Sequence, residues 1–282
     1  SPHVLQFMEE NPESFSLRGN RVDATVMFSD LRHFTTIAER LRPEQLSDLL
    51  NRYFSAMTEV IMGYGGYVDK FEGDAIMAEW GVPYPRPDHA AAGCLAVLAQ
   101  VTAMGALQRE LQGTFGIELN VRFGLGSGLL SAGNMGSNQR FQYTVMGNVV
   151  NEAARLEPAN KDYGTTAIIT ERTFEAAGDV VEARLLDRIL VTGKTEPVTI
   201  YELLCHKGNL RGRRQAMVHL YEEALRKHWG FQWGVAEALL NDALALVPDD
   251  KPSTRLLAIV RRYAAAPPPD DWDRVYHRTQ KD

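Results

Sequence analysis

The chain has 282 residues, 45% of them hydrophobic, enough for a sizeable core and for more than one structural unit. A net charge of −6 and a pI near 5.7 exclude broad electrostatic binding to nucleic acid. Cys94 and Cys205 form neither a disulfide framework nor a metal pattern, which suits a reducing, cytoplasmic setting, and no signal peptide is visible.

Residues 1–22 read as a helical lead-in or linker ending near Gly19, and a chain that begins at Ser1 without a methionine is expected to be cut from something longer. Residues 24–29 (ATVMFS) are a predicted strand closed by Asp30. Helices follow over about 35–41 and 43–62, the second opened by Pro43. Residues 67–80 read as a β-hairpin with Glu72 and Gly73 as its tight turn, and residues 82–89 (VPYPRPDH) as a Pro-rich loop. The longest apolar stretch, 90–107, is broken by Gly93, Gln100 and Thr102; it reads as part of an amphipathic helix over 90–112, not as a membrane span. Residues 118–128 (ELNVRFGLGSG) alternate as a strand. A turn-rich section with Gly133, Gly136 and Asn138 leads to the strand QYTVMGN, then to a helix over about 149–163. Strand and helix alternate to about 190, and a last strand, PVTIYELL, ends near 204. This order predicts a layered α/β domain over 23–205.

Over 206–282 the strand patterns stop. Three helices are predicted at about 210–227, 231–246 and 252–264, and Trp229, Trp233, Ala236, Ala243 and Pro248 have the spacing of one tetratricopeptide-like unit. A single unit cannot bury its own face, so it is expected to buttress the first domain or a partner, with Trp272 anchoring the PPPDDW tail.

The chemistry-bearing residues each admit two readings. Asp30, at a strand end beside a helix N-terminus, suits a metal–phosphate site, or is a helix cap. Asp74 is a ligand or a turn residue. In a split βαβ arrangement the strand ends carrying Asp30 and Asp74 meet, and two carboxylates there repel unless a divalent cation lies between them, Mg²⁺ or Mn²⁺ by the hardness of the donors. With Glu72 and Gly73 in the turn, Lys70 and Asp74 fall on opposite faces of the sheet, serving two sites or one site built from two copies of the chain. Asn151 and Arg155 share a helix face and could hold ribose and phosphate, or form a solvated face near Glu152. Thr144 is a strand former or a hydrogen-bond acceptor, and Lys194 sits in a turn where a lysine usually faces water.

ATVMFSDLRHFTTIAE, GGYVDKFEGDAIMAEWG, VRFGLGSG, YTVMGNVVNEAARLE and VTGKTEPVTIYEL occur in this order across residues 23–204. Together they resemble the catalytic domain of bacterial class III nucleotidyl cyclases. The resemblance implies a ferredoxin-like βαββαβ core within the broad α/β (α+β) class, carrying a small all-α C-terminal extension. It implies that Asp30 and Asp74, with the Leu31 backbone, bind two divalent cations. Phe34, Thr35 and Lys194 would meet the phosphates, Lys70 and Thr144 the purine, Asn151 the ribose and Arg155 the α-phosphate. It also implies a head-to-tail homodimer with two shared sites, since one chain carries every part. His33 departs from the glycine of many relatives in the turn over the triphosphate.

Lysine is a donor only, so Lys70 suits adenine N1, and Thr144 can accept from the 6-amino group; related guanylyl cyclases typically carry glutamate and cysteine there. The expected activity is therefore ATP to cyclic AMP and pyrophosphate. A guanylyl cyclase, or a nucleotide-sensing scaffold whose helical tail recruits a partner, are the alternatives; the GG(D/E)EF turn of diguanylate cyclases is absent.

Overall fold

The computed structural model describes residues 6–7, 9–11, 19–137, 139, 141–190, 196–269 and 271–278. β1 (Asn20–Leu31) is followed by α1 (Phe34–Arg40) and α2 (Pro43–Gly63), then by the hairpin β2 (Tyr67–Glu72) and β3 (Ala75–Trp80). α3 (His89–Phe115) leads to β4 (Val121–Gly136), β5 (Phe141–Met146), α4 (Asn148–Tyr163), β6 (Ala167–Thr170), α5 (Glu171–Ala177), β7 (Val181–Leu190) and β8 (Val198–His206). Three helices close the chain, α6 (Gly212–Trp229), α7 (Trp233–Leu246) and α8 (Lys251–Ala265), with a short β9 (Tyr276–His277) after them.

One mixed sheet runs β2-β3-β1-β4-β6-β8-β7-β9, with β5 paired to the distal half of β4. β1 lies antiparallel between β3 and β4, as a split βαβ arrangement requires. The β4–β6 and β7–β9 pairs are parallel.

α2 shows how the sequence builds the first layer. Pro43 starts it, the Gln45 side chain accepts from the Arg42 backbone N–H at 3.2 Å, and Leu49, Tyr53, Met57 and Ile61 form a buried stripe at i, i+4 spacing. That stripe packs with α3 and with Met27, Ile76, Ala78, Trp80 and Phe123 of the sheet. By length and composition α3 is apolar enough to cross a membrane. In this fold its Ala90, Cys94, Val97, Leu107 and Leu111 are core residues.

The other face of the sheet carries α4. Gly124 and Gly126 on β4 face α4 directly: a Cβ on Gly124 would lie 2.5 Å from the Ala153 carbonyl oxygen and 2.8 Å from Leu156 C. Leu156 and Tyr163 of α4 share one cluster with Ile168, Leu186 and Ile200 of the sheet and with Tyr221, Leu225, Ala236, Leu240, Leu256 and Val260 of the last three helices. The C-terminal helices are thus packed onto the sheet, as the lone-unit argument requires.

Four details differ from the sequence expectation. The hairpin turn is Gly73-Asp74, with Glu72 paired to Ala75 and Gly73 at φ +65°, because the strand retains Glu72 and the left-handed turn position goes to glycine. Asp74 therefore sits in the turn, and strand alternation no longer sets its face against that of Lys70. β4 runs through Gly133 and Gly136, where turns are predicted, because β5 supplies cross-strand partners to both. The C-terminal extension is not purely helical, since Tyr276 and His277 pair with Ile189 and Leu190 of β7.

Candidate active site

β1 ends beside the β2–β3 turn, and this brings two predicted acids together. The Leu31 backbone N–H donates to Asp74 Oδ2 at 3.1 Å, so the turn docks on the end of β1 next to Asp30. Burial, then the hydrogen bond and charge of Asp30, push the Asp74 carboxyl up to about 7 against the opposing pull of Leu31 N–H. A pair of oxygen donors whose second negative charge is disfavoured is the donor set a hard divalent cation relieves. No group of three His, Cys, Asp or Glu able to hold a metal occurs among the described residues, so further ligands would come from backbone, water or substrate.

After β1 the chain turns through His33, which holds a left-handed backbone (φ 59°, ψ 28°) and caps α1 without a side-chain bond. Its side chain is exposed, as is Thr35, while Phe34 packs against the core. Lys194 lies outside the described residues.

A second polar group forms where β2 meets β5. Val68 pairs with Ala78 and Lys70 with Met77, leaving Asp69 as a bulge. The Asp69 side chain is fully buried, accepts from the Thr144 hydroxyl and from Gln142 Nε2 at 2.6 Å, and forms an ion pair with Lys70 Nζ at 3.6 Å. Lys70 and Thr144 are therefore neighbours held by a residue the sequence reading missed. Tyr67 reinforces the contact by donating to the Tyr143 carbonyl at 3.3 Å. Among the described residues no hydrogen bond or ion pair links Lys70 or Thr144 to Asp30 or Asp74.

Asn151 and Arg155 lie on α4 as predicted, with Val149, Ala153 and Leu156 on the buried side. Neither side chain bonds another described residue; Arg155 contributes only its carbonyl, to Arg278 Nη1 at 3.4 Å.

A cationic cavity of about 390 Å³ also escaped the sequence reading. Arg32, His33, Arg122, Lys161 and Arg278 line it, from segments far apart in the chain. Arg122 stands directly across from Asp30 on β4 and donates to Glu157 at 2.7 Å. Burial and the nearby Arg122 charge hold the Arg32 guanidinium below its usual value. The visible signal was an arginine heading FGLGSG, which spacing alone does not mark.

Comparison with known proteins adds the family. The adenylate cyclase 1 of Rhizobium meliloti is 34% identical over 184 residues, covering 65% of this chain. The adenylate cyclase of Anabaena cylindrica is 33% identical over 189 residues. This chain spans 28% and 36% of those two relatives' lengths. Among solved structures, the adenylyl cyclase CyaB of P. aeruginosa superposes with a TM-score of 0.64 at 33% identity, covering 69% of this chain and all of that one. The guanylyl cyclase Cya2 follows at 0.63 and 31%, covering 68% and 96%. The profile of the adenylate and guanylate cyclase catalytic domain matches residues 19–204. A match of that extent, on a sheet that joins both predicted acids and both predicted base-facing residues, means that the chain belongs to the adenylate and guanylate cyclase catalytic domain family.

Proposed function

We propose that this chain is the catalytic part of an adenylyl cyclase, converting ATP to 3′,5′-cyclic AMP and pyrophosphate as a head-to-tail homodimer. The observation that carries the reading is the convergence of Lys70 and Thr144 on Asp69. An ammonium donor suits adenine N1 and opposes the N1–H of guanine, while a threonine oxygen accepts from the 6-amino group. Similarity alone does not choose the base, since an adenylyl and a guanylyl cyclase match almost equally well.

Two features support a shared site. Among the described residues of one chain, the acid pair and the base pair have no direct link. Leu129, Phe141 and Met146, exposed on β4 and β5 near Thr144, give a second copy an apolar surface to cover.

In the reaction the ribose 3′-hydroxyl gives up its proton to solvent, its oxygen bonds to the α-phosphorus, the bond from that phosphorus to the β-bridging oxygen breaks, and pyrophosphate leaves. Asn151 would hold the ribose so that its 3′-hydroxyl lies in line. Arg155, whose side chain bonds no other described residue, would stabilise charge growing on the α-phosphate. Arg122, across from Asp30, would offset phosphate charge together with Lys194 and the turn of Phe34 and Thr35. Asp30, Asp74 and the Leu31 backbone would hold the divalent cations, Mg²⁺ or Mn²⁺, which when bound supply Lewis-acid polarisation and a lower hydroxyl pKa. Residues 23–205 would form the catalytic domain and 206–282 its tetratricopeptide-like buttress. Residues 1–22 would link to an upstream sensor or membrane segment, with the catalytic part in the cytoplasm.

The test is product analysis with ATP and GTP, each with Mg²⁺ and with Mn²⁺. Cyclic AMP should dominate, and a dominant cyclic GMP product would reject the reading. Asp30→Ala and Arg155→Ala should each be inactive alone and regain activity when mixed, through one intact interface. Absence of that rescue would show that each site lies within one chain.

A further inference from the structure

We infer that Asp69 is a positioning residue that sets the choice of purine, by taking the hydrogen of the Thr144 hydroxyl and anchoring the Lys70 ammonium. The inference rests on the adenylyl cyclase reading and deepens it.

The bulge makes the arrangement. As the extra residue of β2, Asp69 leaves the strand alternation, and its carboxylate is buried with none of its side chain exposed. Gln142 Nε2 reaches both the Asp69 side chain at 2.6 Å and its carbonyl at 3.2 Å, stitching β5 to the bulge. Thr144, two residues along β5, then points its oxygen at Asp69 Oδ2.

The consequence follows from the hydrogen count. A threonine hydroxyl has one hydrogen and two lone pairs, and a carboxylate only accepts. The hydrogen must therefore lie between Thr144 and Asp69, and only lone pairs remain for a base. Adenine presents an amino donor at position 6, which those lone pairs accept. Guanine presents a carbonyl oxygen there, which finds no donor. Lys70, held at 3.6 Å from the same carboxylate, presents the complementary donor.

Glu79 is the second acid at the bulge. It lies fully buried on β3 beside Asp69, and neither of its oxygens meets a hydrogen-bond partner among the described residues. Burial and the Asp69 charge push its carboxyl well above the usual range.

The competing view makes Asp69 a tether between β2 and β5 and nothing more. Asp69→Asn separates the two. An asparagine amide can donate to the Thr144 oxygen, which frees the hydroxyl hydrogen to turn toward the base. The measurement is kcat/KM for ATP divided by kcat/KM for GTP. In Asp69→Asn this ratio should fall roughly 10- to 100-fold, the equivalent of one mispaired buried polar group. A tether alone would lower activity toward both nucleotides together and leave the ratio in place. Thr144→Val should lower the ratio as well, and the double variant should lower it no further than Thr144→Val does. Should Asp69→Asn fail to fold, Asp69→Glu keeps an acceptor and should restore the ratio, whereas Asp69→Ser should not.

The outcomes are distinguishable. If wild type prefers GTP, or Thr144→Val keeps the full ATP preference, the base reading fails. If wild type prefers ATP and Thr144→Val loses the preference while Asp69→Asn keeps it, only the role of Asp69 is overturned.

Discussion

Replacing Arg184 with methionine should destabilise the fold by about 3–5 kcal/mol, the usual cost of removing one partner of a buried ion network. The guanidinium is 2% exposed and lies 4.8 Å from the Tyr221 ring centre. It donates to Glu202 on β8, and at 3.0 and 2.9 Å to both oxygens of Asp250. Asp250 in turn caps α8 by accepting from Ser253 N–H at 2.9 Å. Burial alone would raise the Asp250 carboxyl; Arg184 and Ser253 hold it below its usual value. Methionine fills most of the volume, so the loss comes mainly from two orphaned, poorly solvated carboxylates. For a chain of this size a loss of 3–5 kcal/mol corresponds to a Tm lower by roughly 10 °C. The assay is thermal unfolding followed by circular dichroism, with Glu202→Gln and Asp250→Asn added to Arg184→Met in a third protein. Neutralising both orphans should recover most of the loss, because replacing a whole buried network is far less costly than breaking it. A Tm for Arg184→Met within 2 °C of wild type, on the scale of about 2–4 °C per kcal/mol, would refute the idea that this arginine fastens the helices to the sheet.

Glu79→Gln should leave stability unchanged in acid and raise it relative to wild type as pH rises. The folded-state pKa of Glu79 lies well above its unfolded value of 4.5, so wild type loses stability progressively above that pH and the glutamine variant does not. Urea midpoints at acid, neutral and alkaline pH check the sign, and a gap that stays constant would contradict it. Gly124→Ala should lower kcat sharply and cost about 1–3 kcal/mol, since its Cβ would strike the backbone of α4 at Ala153 and Leu156 and displace the helix carrying Asn151 and Arg155. Full activity with unchanged stability would mean that α4 is not held as closely as the structure shows.

Much of this was legible in the sequence because it depends on local pattern. Pro43, the apolar stripe of α2 and the Gly-rich FGLGSG run fixed elements whose neighbours then followed from the split βαβ connection. That connection alone brought Asp30 to Asp74. The i, i+4 spacing of Asn151 and Arg155 needed only helix geometry. What stayed hidden depends on tertiary pairing. The Asp69 bulge exists only relative to β3, and its partner Thr144 is 75 residues away. Glu72-Gly73 and Gly73-Asp74 are both plausible turns, and only the cross-strand register chooses between them. Gly133 and Gly136 look like punctuation, yet β5 supplies ladder partners that hold them in a strand. Tyr276 and His277 carry too short a signal to be called a strand until the free edge of β7 accepts them. The cavity of Arg32, Arg122, Lys161 and Arg278 gathers residues that no spacing rule connects.

The irregularity at Asp69 has a second effect, on solubility. β2 is the outer margin of the sheet, and a straight margin with a regular row of unpaired amides recruits strands from other molecules into aggregates. The extra residue disrupts that row and adds local twist, and the neighbouring Lys70 places a charge on it. An edge interrupted in this way is kept from stacking with other copies of the chain edge to edge.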